Sequence, residues 1–309
     1  MGILKRYDNM DDINPVKHMI EAQKANKYVR IGSDLSVTEM TNSPRIVQLA
    51  NRYPDKLKTD TIESSLPALL GTSTHDMFER YLRAYDVAHP NSYLLERRML
   101  TVQEATSGRL VRVAGRFDIL ERRHILWDIK QTSTFKFVRG NVDDFEKQLN
   151  IYAYMLQLDG IKVDTLKILA VFPDWNKWER QRQGGSYPPN KMTAYKFELW
   201  PFDKRRSYFV DRVNLHDAAS VVPDDQLPLC TDEDMWAAPT KWAVYASKEA
   251  RKASRLLDDK ADALAYVNNM QDSATAIIRE RPGRRTRCAD WCKCSPVCKQ
   301  YKDFLKQLP

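Results

Sequence analysis

Apolar residues recur every three or four positions in several stretches of the chain, which is the spacing of an amphipathic helix. One stretch begins at Ser36, a favourable helix N-cap residue, and is interrupted at Ser43-Pro44. A second begins at Leu66, in the segment LPALLGTSTHDMFERYLRAY, and a third, FEKQLNIYAYMLQL, is ended by Gly160. Shorter helices are predicted at residues 15–26, after Trp200 and at residues 259–270.

Between the second and third helices, apolar and polar residues alternate, as they do in half-buried strands. SYLLERRMLTVQ and GRLVRVAGRFDILE are separated by Ser107-Gly108, a hairpin signal, and ILWDIKQT follows a polar turn. Beyond the third helix, VDTLKILAVF predicts a buried strand beside ILWDIKQT after a helical crossover. TAYKFELW adds one more strand. The pattern predicts an α/β fold in which an antiparallel meander joins a mixed sheet flanked by helices.

Two aspartates occupy neighbouring predicted strands, Asp118 in one and Asp128 in the next. Side chains alternate along a strand, so Arg116 shares a face with Asp118, and Lys130 shares a face with Asp128. If the strands pair, both carboxylates approach one point. Two carboxylates in a mostly apolar sheet are unfavourable unless a cation neutralises them, and a divalent cation would do so. The alternative is a turn aspartate at Asp118 and an exposed ion pair between Asp128 and Lys130.

The composition is that of a globular protein, with 43% hydrophobic and 29% charged residues. Lysine and arginine outnumber aspartate and glutamate by 49 to 41, and the net charge of +8 favours a polyanionic partner. No apolar run reaches membrane-spanning length, and the opening MGILKRYDNMDD lacks the apolar core of a signal peptide. We therefore expect a cytoplasmic protein with no membrane partner.

Two predicted loops carry basic and aromatic residues. TSTFKFVRGNVDD contains Lys136 and Arg139, and the segment around QRQGGSYPPNK contains Arg180, Arg182 and Tyr187. Both a solvated connection and a contact with a nucleic-acid strand fit the second loop.

All five cysteines lie in the last third of the chain, and four of them fall within eleven residues. In a cytoplasmic protein such clustering favours a metal site or close-packed thiols over disulfides. The basic run RERPGRRTR leads directly into the cluster and is either a solvated face or a surface that contacts a nucleic-acid backbone. The cysteines are Cys230, Cys288, Cys292, Cys294 and Cys298.

Five features of the chain occur in a defined order: His75, Glu96, a Gly-x-x-Asp that ends at Asp118, an Asp-x-Lys from Asp128 to Lys130, and a Gln-x-x-x-Tyr. The last feature runs from Gln148 to Tyr152, which share one helix face. Over about residues 66–175 this order resembles the PD-(D/E)xK nuclease superfamily, specifically its RecB-like branch. That branch includes bacterial recombination nucleases, CRISPR-associated nucleases and phage exonucleases.

The resemblance implies a restriction-endonuclease-like core and a Mg²⁺ or Mn²⁺ site. The implied ligands are His75, Asp118, Asp128 and the carbonyl of Ile129, with Glu96 as an outer ligand. The implied catalytic residues are Asp118, Asp128, Lys130, Gln148 and Tyr152. Lys130 would orient the attacking water and stabilise charge on the phosphorus centre, and Gln148 and Tyr152 would hold the site in position.

Several RecB-like nucleases bind a [4Fe–4S] cluster through one distant cysteine and a C-terminal C-x2-C-x5-C. This chain keeps the five-residue interval from Cys292 to Cys298, but it has three residues before it and no cysteine before Cys230. An iron–sulfur cluster, a tetrahedral Zn²⁺ site and reduced thiols therefore all remain open.

The sequence and the resemblance together predict three regions: an N-terminal arm and helical segment at residues 1–65, a nuclease core at 66–220 and a cysteine-containing region at 221–309. The expected function is metal-dependent hydrolysis of DNA, favouring an exonuclease of recombination, repair or phage DNA metabolism. The alternatives are a structure-specific endonuclease and a non-catalytic DNA-binding subunit. The expected partners are DNA and a recombination or replication protein, in the host cytoplasm if the chain is phage-encoded.

Overall fold

The structure, a computed structural model, describes residues 32–59, 61–122, 124–270 and 273–308. The helix predicted at residues 15–26 lies outside the described residues. The chain divides into two compact units, one made of the residues up to Thr41 together with Asp60–Val221, and the other of Asn42–Thr59 and Val222–Pro309. No helix of the described part is long and apolar enough to cross a lipid bilayer.

The described helices are α1 (Val37–Met40), α2 (Pro44–Arg52), α3 (Ile62–Ala88), α4 (Thr134–Val138), α5 (Asp143–Leu158), α6 (Lys177–Gln183), α7 (Phe202–Val221), α8 (Asp232–Met235), α9 (Lys260–Asn268) and α10 (Lys299–Lys306). The described strands are β1 (Leu35–Ser36), β2 (Tyr93–Leu95), β3 (Arg98–Glu104), β4 (Leu110–Arg116), β5 (Ile119–Glu121), β6 (Ile125–Gln131), β7 (Thr165–Val171), β8 (Met192–Phe197), β9 (Ala237–Ala238), β10 (Lys241–Tyr245), β11 (Arg255–Leu257), β12 (Ile277–Arg281) and β13 (Arg284–Arg285).

The first unit contains two sheets. The larger has the strand order β2-β5-β6-β7-β8, in which β6 and β7 are parallel and the other neighbours are antiparallel. The smaller has the order β1-β4-β3, in which β1 is parallel and β3 antiparallel to β4. Helix α5 lies between β6 and β7 in the chain, so it forms the predicted helical crossover of this parallel pair. A mixed α/β fold with sheets flanked by helices is thus confirmed.

Helix α5 contributes much of the core of the first unit. Its predicted apolar stripe, Leu149, Ala153 and Leu156, is fully buried, and the helix contacts β3, β6 and β7. The helix ends at Leu158, and Gly160 follows with a φ of +78°, a conformation that glycine adopts without steric cost. A buried helix of this kind holds the polar side chains along it in fixed positions relative to β6.

The starts of two helices were predicted, one at the N-cap Ser36 and the other at Leu66. Ser36 is the N-cap of α1, since its hydroxyl accepts from the N–H of Glu39 at 3.2 Å and the Glu39 carboxylate accepts from the Ser36 N–H at 2.9 Å. The second predicted helix starts earlier than Leu66: Thr61 caps α3, and Pro67 lies inside the helix. Proline is usually found in the first turn of a helix, and the predicted start at Leu66 would place Pro67 there.

The predicted meander is wrong in one respect, because both of its first two strands are broken. The first is interrupted after β2, at Glu96, and the second after β4, at Phe117-Asp118. The halves join different sheets: β3 and β4 pair with each other, while β2 and β5 belong to the larger sheet. Strict alternation also fails at the second break, since Arg116 is exposed while Phe117, Asp118 and Ile119 are all buried.

The second unit contains the antiparallel sheet β11-β10-β12 and the short antiparallel pair β13–β9. Helix α2 belongs to this unit although it lies far away in the sequence. The buried Arg45 of α2 donates to the carbonyl of Pro228 at 3.0 Å. Arg52, at the other end of the helix, pairs with Asp224 at 2.7 Å. These contacts tie α2 to the segment that follows α7.

Candidate metal centre and cysteine cluster

The two strand breaks in the first unit bring two carboxylates together. At the first break, the Glu96 main chain has a φ of +50°, which residues other than glycine seldom adopt. Its N–H donates to the carbonyl of Asp118, at the second break, over 2.9 Å. The point where the chain passes between the two sheets is therefore also the point where Glu96 and Asp118 meet.

Helix α3 places a histidine beside these carboxylates. The helix contacts β2 and β6, and Thr74 donates through its hydroxyl to the side chain of Gln131 at 2.9 Å. The next residue, His75, lies with its Nδ1 3.3 Å from Oδ2 of Asp118. One ligand atom from each of His75, Glu96 and Asp118 lies within 4.8 Å of the others. Among the described residues, no other three His, Cys, Asp or Glu side chains come this close together.

Asp118 is held by the neighbouring strand. The N–H of Ile129 in β6 donates to Oδ2 of Asp118 at 2.6 Å, next to the β5–β6 pairing of Ile119 with Trp127. Ile129 thus reaches the site through its amide, and a role for its carbonyl stays a prediction. A hydrogen bond to one carboxylate oxygen orients the group, as ligands of metal ions are commonly oriented.

The electrostatics of the group favour a positive charge at its centre. Burial and, after it, the nearby charge of Asp118 raise the pKa of Glu96 to about 7. Burial opposes protonation of His75, but the hydrogen bond to Asp118 and the charges of Asp118 and Asp128 outweigh it and raise the pKa of His75. A bound cation would relieve the repulsion between the carboxylates.

Asp128 and Lys130 form a buried ion pair beside this group. Lys130 Nζ lies 2.8 Å from Oδ2 of Asp128, and the Asp128 side chain is almost fully buried. Burial raises the pKa of Asp128 although the charge of Lys130 acts against it. The exposed ion pair of the alternative interpretation is therefore not what the structure shows. The Asp128 carboxylate is not one of the three closely spaced ligand atoms, and its role as a ligand stays a prediction.

Gln148 and Tyr152 lie on α5, facing β4 and the aspartates. The Tyr152 hydroxyl is hydrogen-bonded to the Gln148 side chain, and burial, followed by the charge of Asp128, raises the pKa of Tyr152. The Tyr152 ring packs directly on Gly115, where an added Cβ would lie 2.7 Å from Tyr152 Cε1 and 2.6 Å from Val37 Cγ2. The glycine of the Gly-x-x-Asp motif is therefore needed for space.

Two side chains next to the site were missed by the sequence analysis. Arg116 pairs with Glu96, with 2.9 Å between Nε and Oε2, and no local pattern indicated this pair. Phe145 lies under two lysines, with Lys130 Nζ 5.6 Å and Lys136 Nζ 3.9 Å from its ring centroid. Its position three residues before Gln148, on the same helix face, was the available signal for Phe145.

The basic loop after β7 is more ordered than its composition indicates. Tyr187 is buried, and its hydroxyl accepts from the N–H of Asn176 at 3.0 Å, so it is not an exposed contact residue. Arg180 donates to the carbonyl of Tyr187 at 2.9 Å, and Arg182 pairs with Glu179 at 2.6 Å. Tyr187 and Arg180 therefore hold the loop together, whereas the Arg182 pair is exposed and lies within α6.

The second unit gathers the five cysteines around one cavity, which is also lined by Arg45, Met235 and Tyr301. All five are free thiols. Burial raises the pKa of Cys230 and of Cys288 to about 11. Cys292 differs, because a hydrogen bond from the Cys294 thiol lowers the pKa of Cys292 and raises that of Cys294. The sequence brought together four of these thiols, and the fold adds Cys230.

Cys294 is distinguished from the other four by its contacts. It is buried, and its Sγ lies 3.4 Å from the carbonyl oxygen of Ile46 in α2. Cys230 lies near the start of α2, with its Sγ 3.3 Å from the hydroxyl of Ser43. Cys294 thus contacts the main chain of a neighbouring helix.

No family model and no curated protein matches the chain. Among solved structures, the chain is similar to the protein SSO0001, at 18% identity and a TM-score of 0.46, over 68% of this chain and 88% of that one. It is also similar to the alkaline exonuclease LHK-Exo from Laribacter hongkongensis, at 11% identity and a TM-score of 0.30, over 61% of this chain and 90% of that one. Likenesses this distant assign no function.

Proposed function

We propose that the protein is a metal-dependent nuclease, a hydrolase that cleaves DNA phosphodiester bonds, and that it acts as an exonuclease in DNA recombination, repair or phage DNA metabolism. The observation that supports this proposal is the close group of His75, Glu96 and Asp118 beside the buried Asp128–Lys130 pair. Three closely spaced ligand atoms can hold a metal ion that assists phosphodiester hydrolysis, and a lysine beside them can stabilise the negative charge that develops.

The donor set fits a hard divalent cation. Glu96 and Asp118 offer carboxylate oxygens and His75 an imidazole nitrogen, and such sites suit Mg²⁺ or Mn²⁺, which retain bound water. The raised pKa of Glu96 and its origin in burial and the Asp118 charge fit the same conclusion. We assign His75, Glu96 and Asp118 as the ligands, with Asp128 and the Ile129 carbonyl as further ligands on the same cation.

A cation held by these residues would act as a Lewis acid on the phosphate and would lower the pKa of a bound water. The protein's own groups do the rest. Lys130 is held by Asp128. Burial opposes its charge, but the charges of Asp128 and Asp118 and the hydrogen bond to Asp128 together outweigh burial and raise the pKa of Lys130, which keeps the ammonium protonated. A fixed, partly desolvated cation stabilises the negative charge that develops on the phosphate oxygens. Gln148 and Tyr152 position this pair from α5.

The proposal is tested with a panel of labelled single-stranded, double-stranded and RNA substrates, each with Mg²⁺ and with Mn²⁺. Wild-type protein should cleave DNA, and cleavage should stop in EDTA. Asp118→Asn and Lys130→Ala should abolish cleavage, while Asp76→Asn should not, because Asp76 is an exposed residue next to His75 on α3. Failure of the wild-type protein to cut any substrate with either metal would overturn the nuclease assignment.

Strand ends separate the exonuclease proposal from the endonuclease alternative. An exonuclease should degrade an end-labelled linear strand and leave a closed circle of the same sequence intact. Cleavage of the circle would establish the endonuclease instead. If neither form is cut but both are bound, the protein is a non-catalytic DNA-binding subunit.

We further propose that the cysteines of the second unit bind a metal cofactor. A Zn²⁺ site with Zn–S bonds of about 2.3 Å needs sulfur atoms roughly 4 Å apart, whereas no three of the described cysteine sulfurs lie within 4.8 Å of one another. A [4Fe–4S] cluster is larger and separates its thiolates further, so we favour the cluster, with Cys230, Cys288, Cys292 and Cys298 as ligands. Such a group would fasten the C-terminal segment to α2.

A further inference from the structure

Two aromatic side chains lie exposed at the end of the larger sheet where the proposed site is found. Helix α4 starts three residues after β6 ends, and its Phe135 is 58% exposed. Helix α6 follows β7, and its Trp178 is 78% exposed. Because β6 and β7 are parallel neighbours, the two helices follow the same edge of the sheet. Neither aromatic residue has a role in the proposed metal centre.

The exposed position of Phe135 is imposed by the packing of α4. Phe137 faces inward, with its ring centroid 5.2 Å from that of Phe172 and 4.3 Å from that of Tyr195. Thr134 is buried, and its N–H donates to both oxygens of Asp174 at 2.9 and 3.0 Å. A short helix fixed by these contacts presents Phe135 to solvent in a defined orientation.

The same carboxylate connects α4 to the segment that carries Trp178. Asp174 lies in the turn after β7, and its Oδ2 also accepts from the Thr134 hydroxyl at 3.0 Å. Two residues later, the Asn176 side chain caps α6 by accepting from the N–H of Trp178 at 2.8 Å. Hydrogen bonds through Asp174 thus link the segments that carry the two exposed rings.

Positive charge accompanies these rings. The Arg139 guanidinium lies 4.8 Å from the Phe135 ring centroid. Lys136, whose Nζ also pairs with Asp144 Oδ2 at 2.7 Å, lies over the Phe145 ring at 3.9 Å, and Lys130 of the proposed site lies over the same ring at 5.6 Å. The cations thus continue from the catalytic lysine onto α4. Exposed aromatic rings beside cations are the combination by which proteins hold single-stranded nucleic acids.

We propose that Phe135 and Trp178 stack against unpaired bases of single-stranded DNA, while Lys136 and Arg139 contact its phosphates. The proposal rests on the nuclease function proposed above and names the substrate class of that site. Bases in a duplex stack on each other and hide their faces, whereas each base of a single strand offers a face to an exposed ring. A DNA strand that reaches Lys130 along α4 is then held through its bases as well as through its phosphates.

The experiment measures binding in EDTA, so that it does not depend on cleavage. A fluorescent oligothymidylate is bound by the full-length protein, and its anisotropy is followed as competitors are added. The competitors are the unlabelled oligothymidylate, an abasic oligonucleotide of the same length and charge, and a hairpin duplex. Stacking predicts that the abasic strand and the duplex compete at least about fivefold less well than the oligothymidylate.

Variants then assign the effect to the two rings. Phe135→Ala and Trp178→Ala should each weaken oligothymidylate binding by about 5- to 100-fold and leave binding of the abasic strand unchanged. Tyr81→Ala is the matched control, because Tyr81 is 62% exposed and carries Arg80 4.9 Å from its ring, as Phe135 carries Arg139. Tyr81 points about 120° around α3 from His75, six residues away on a helix of 3.6 residues per turn.

The outcomes separate this inference from the nuclease proposal. Wild-type cleavage of single strands, with both variants binding and cutting like wild type, would overturn the stacking surface and leave the nuclease intact. Preferential base-dependent binding without cleavage would support the surface and remove the catalytic assignment. Equal competition by the abasic strand, or no effect of Phe135→Ala and Trp178→Ala on binding, would show that the rings serve another partner and refute the proposal.

Discussion

The main-chain N–H of Glu96 donates to the carbonyl of Asp118 at 2.9 Å, so the two acidic residues are joined where both of their strands break. Their side chains and His75 then place three ligand atoms within 4.8 Å. The positive φ of Glu96 is an energetically unfavourable backbone conformation that the surrounding contacts hold in place, as is common at functional sites. In the proposed metal centre, this relationship gives Glu96 the same standing as Asp118.

Replacing Glu96 tests that relationship. Glu96→Gln keeps the size of the side chain and removes its charge, so Mn²⁺ affinity should fall on the order of tenfold or more, because ligand charge sets the affinity of such sites. Isothermal titration calorimetry of metal-free protein with Mn²⁺ measures the change. Asp76→Asn, the exposed control on α3, should bind Mn²⁺ like wild type. Unchanged affinity in Glu96→Gln would mean that Glu96 serves only its pair with Arg116.

The contact between Gly115 and Tyr152 predicts a steric effect. In Gly115→Ala the new methyl would lie 2.7 Å from Tyr152 Cε1 and 2.6 Å from Val37 Cγ2. Both neighbours are buried, so the free energy of unfolding should fall by about 1–3 kcal/mol, the usual cost of overpacking a core. Urea denaturation measures it.

Gly71→Ala is the control for this substitution. Gly71 lies in α3, and a Cβ there would meet nothing within 4 Å. Since alanine is favoured over glycine in a helix by about 1 kcal/mol, this variant should be as stable as wild type or more stable. Equal stability of Gly115→Ala and wild type would show that Tyr152 moves aside without cost.

The buried ion pair predicts a large difference from a surface pair. Lys130→Ala leaves the Asp128 carboxylate buried without its cation, and it should destabilise the protein by about 3 kcal/mol at neutral pH. Lys162→Ala removes an ion pair of similar length, 3.0 Å to Asp164, whose side chains are both largely exposed. Its effect should stay below about 1 kcal/mol. Chemical denaturation in EDTA compares the two, and equal effects would contradict the burial argument.

The cysteines are expected to differ in their effect on metal content. Cys292→Ser and Cys298→Ser should lose the bound metal, because they remove proposed ligands. Cys294→Ser should retain it, because Cys294 is not one of the proposed ligands and its Sγ contacts the Ile46 carbonyl. Elemental analysis and the absorption spectrum of anaerobically purified protein measure the cofactor. Colourless wild-type protein without iron or zinc would refute the cofactor for all five cysteines.

Local periodicity was enough to predict the central elements of the fold. The stripe of Leu149, Ala153 and Leu156 marked α5, and the apolar run at residues 165–171 marked β7. A strand, a helix and a second strand in this order require a crossover, so the parallel β6–β7 pair followed from the sequence. The same local rules placed Asp128 and Lys130 on one face of β6, where they pair.

The tertiary structure decided the features that depend on which strands hydrogen-bond to each other. Alternation along residues 108–121 is the same whether a strand continues or changes sheets, so the break at Phe117-Asp118 left no signal in it. Only that break, together with the one at Glu96, unites Glu96 with Asp118 and His75. In the same way, the approach of Cys230 to the other cysteines depends on packing between residues distant in the chain. Sequence therefore supplied the chemistry of the site, and long-range pairing decided which side chains share it.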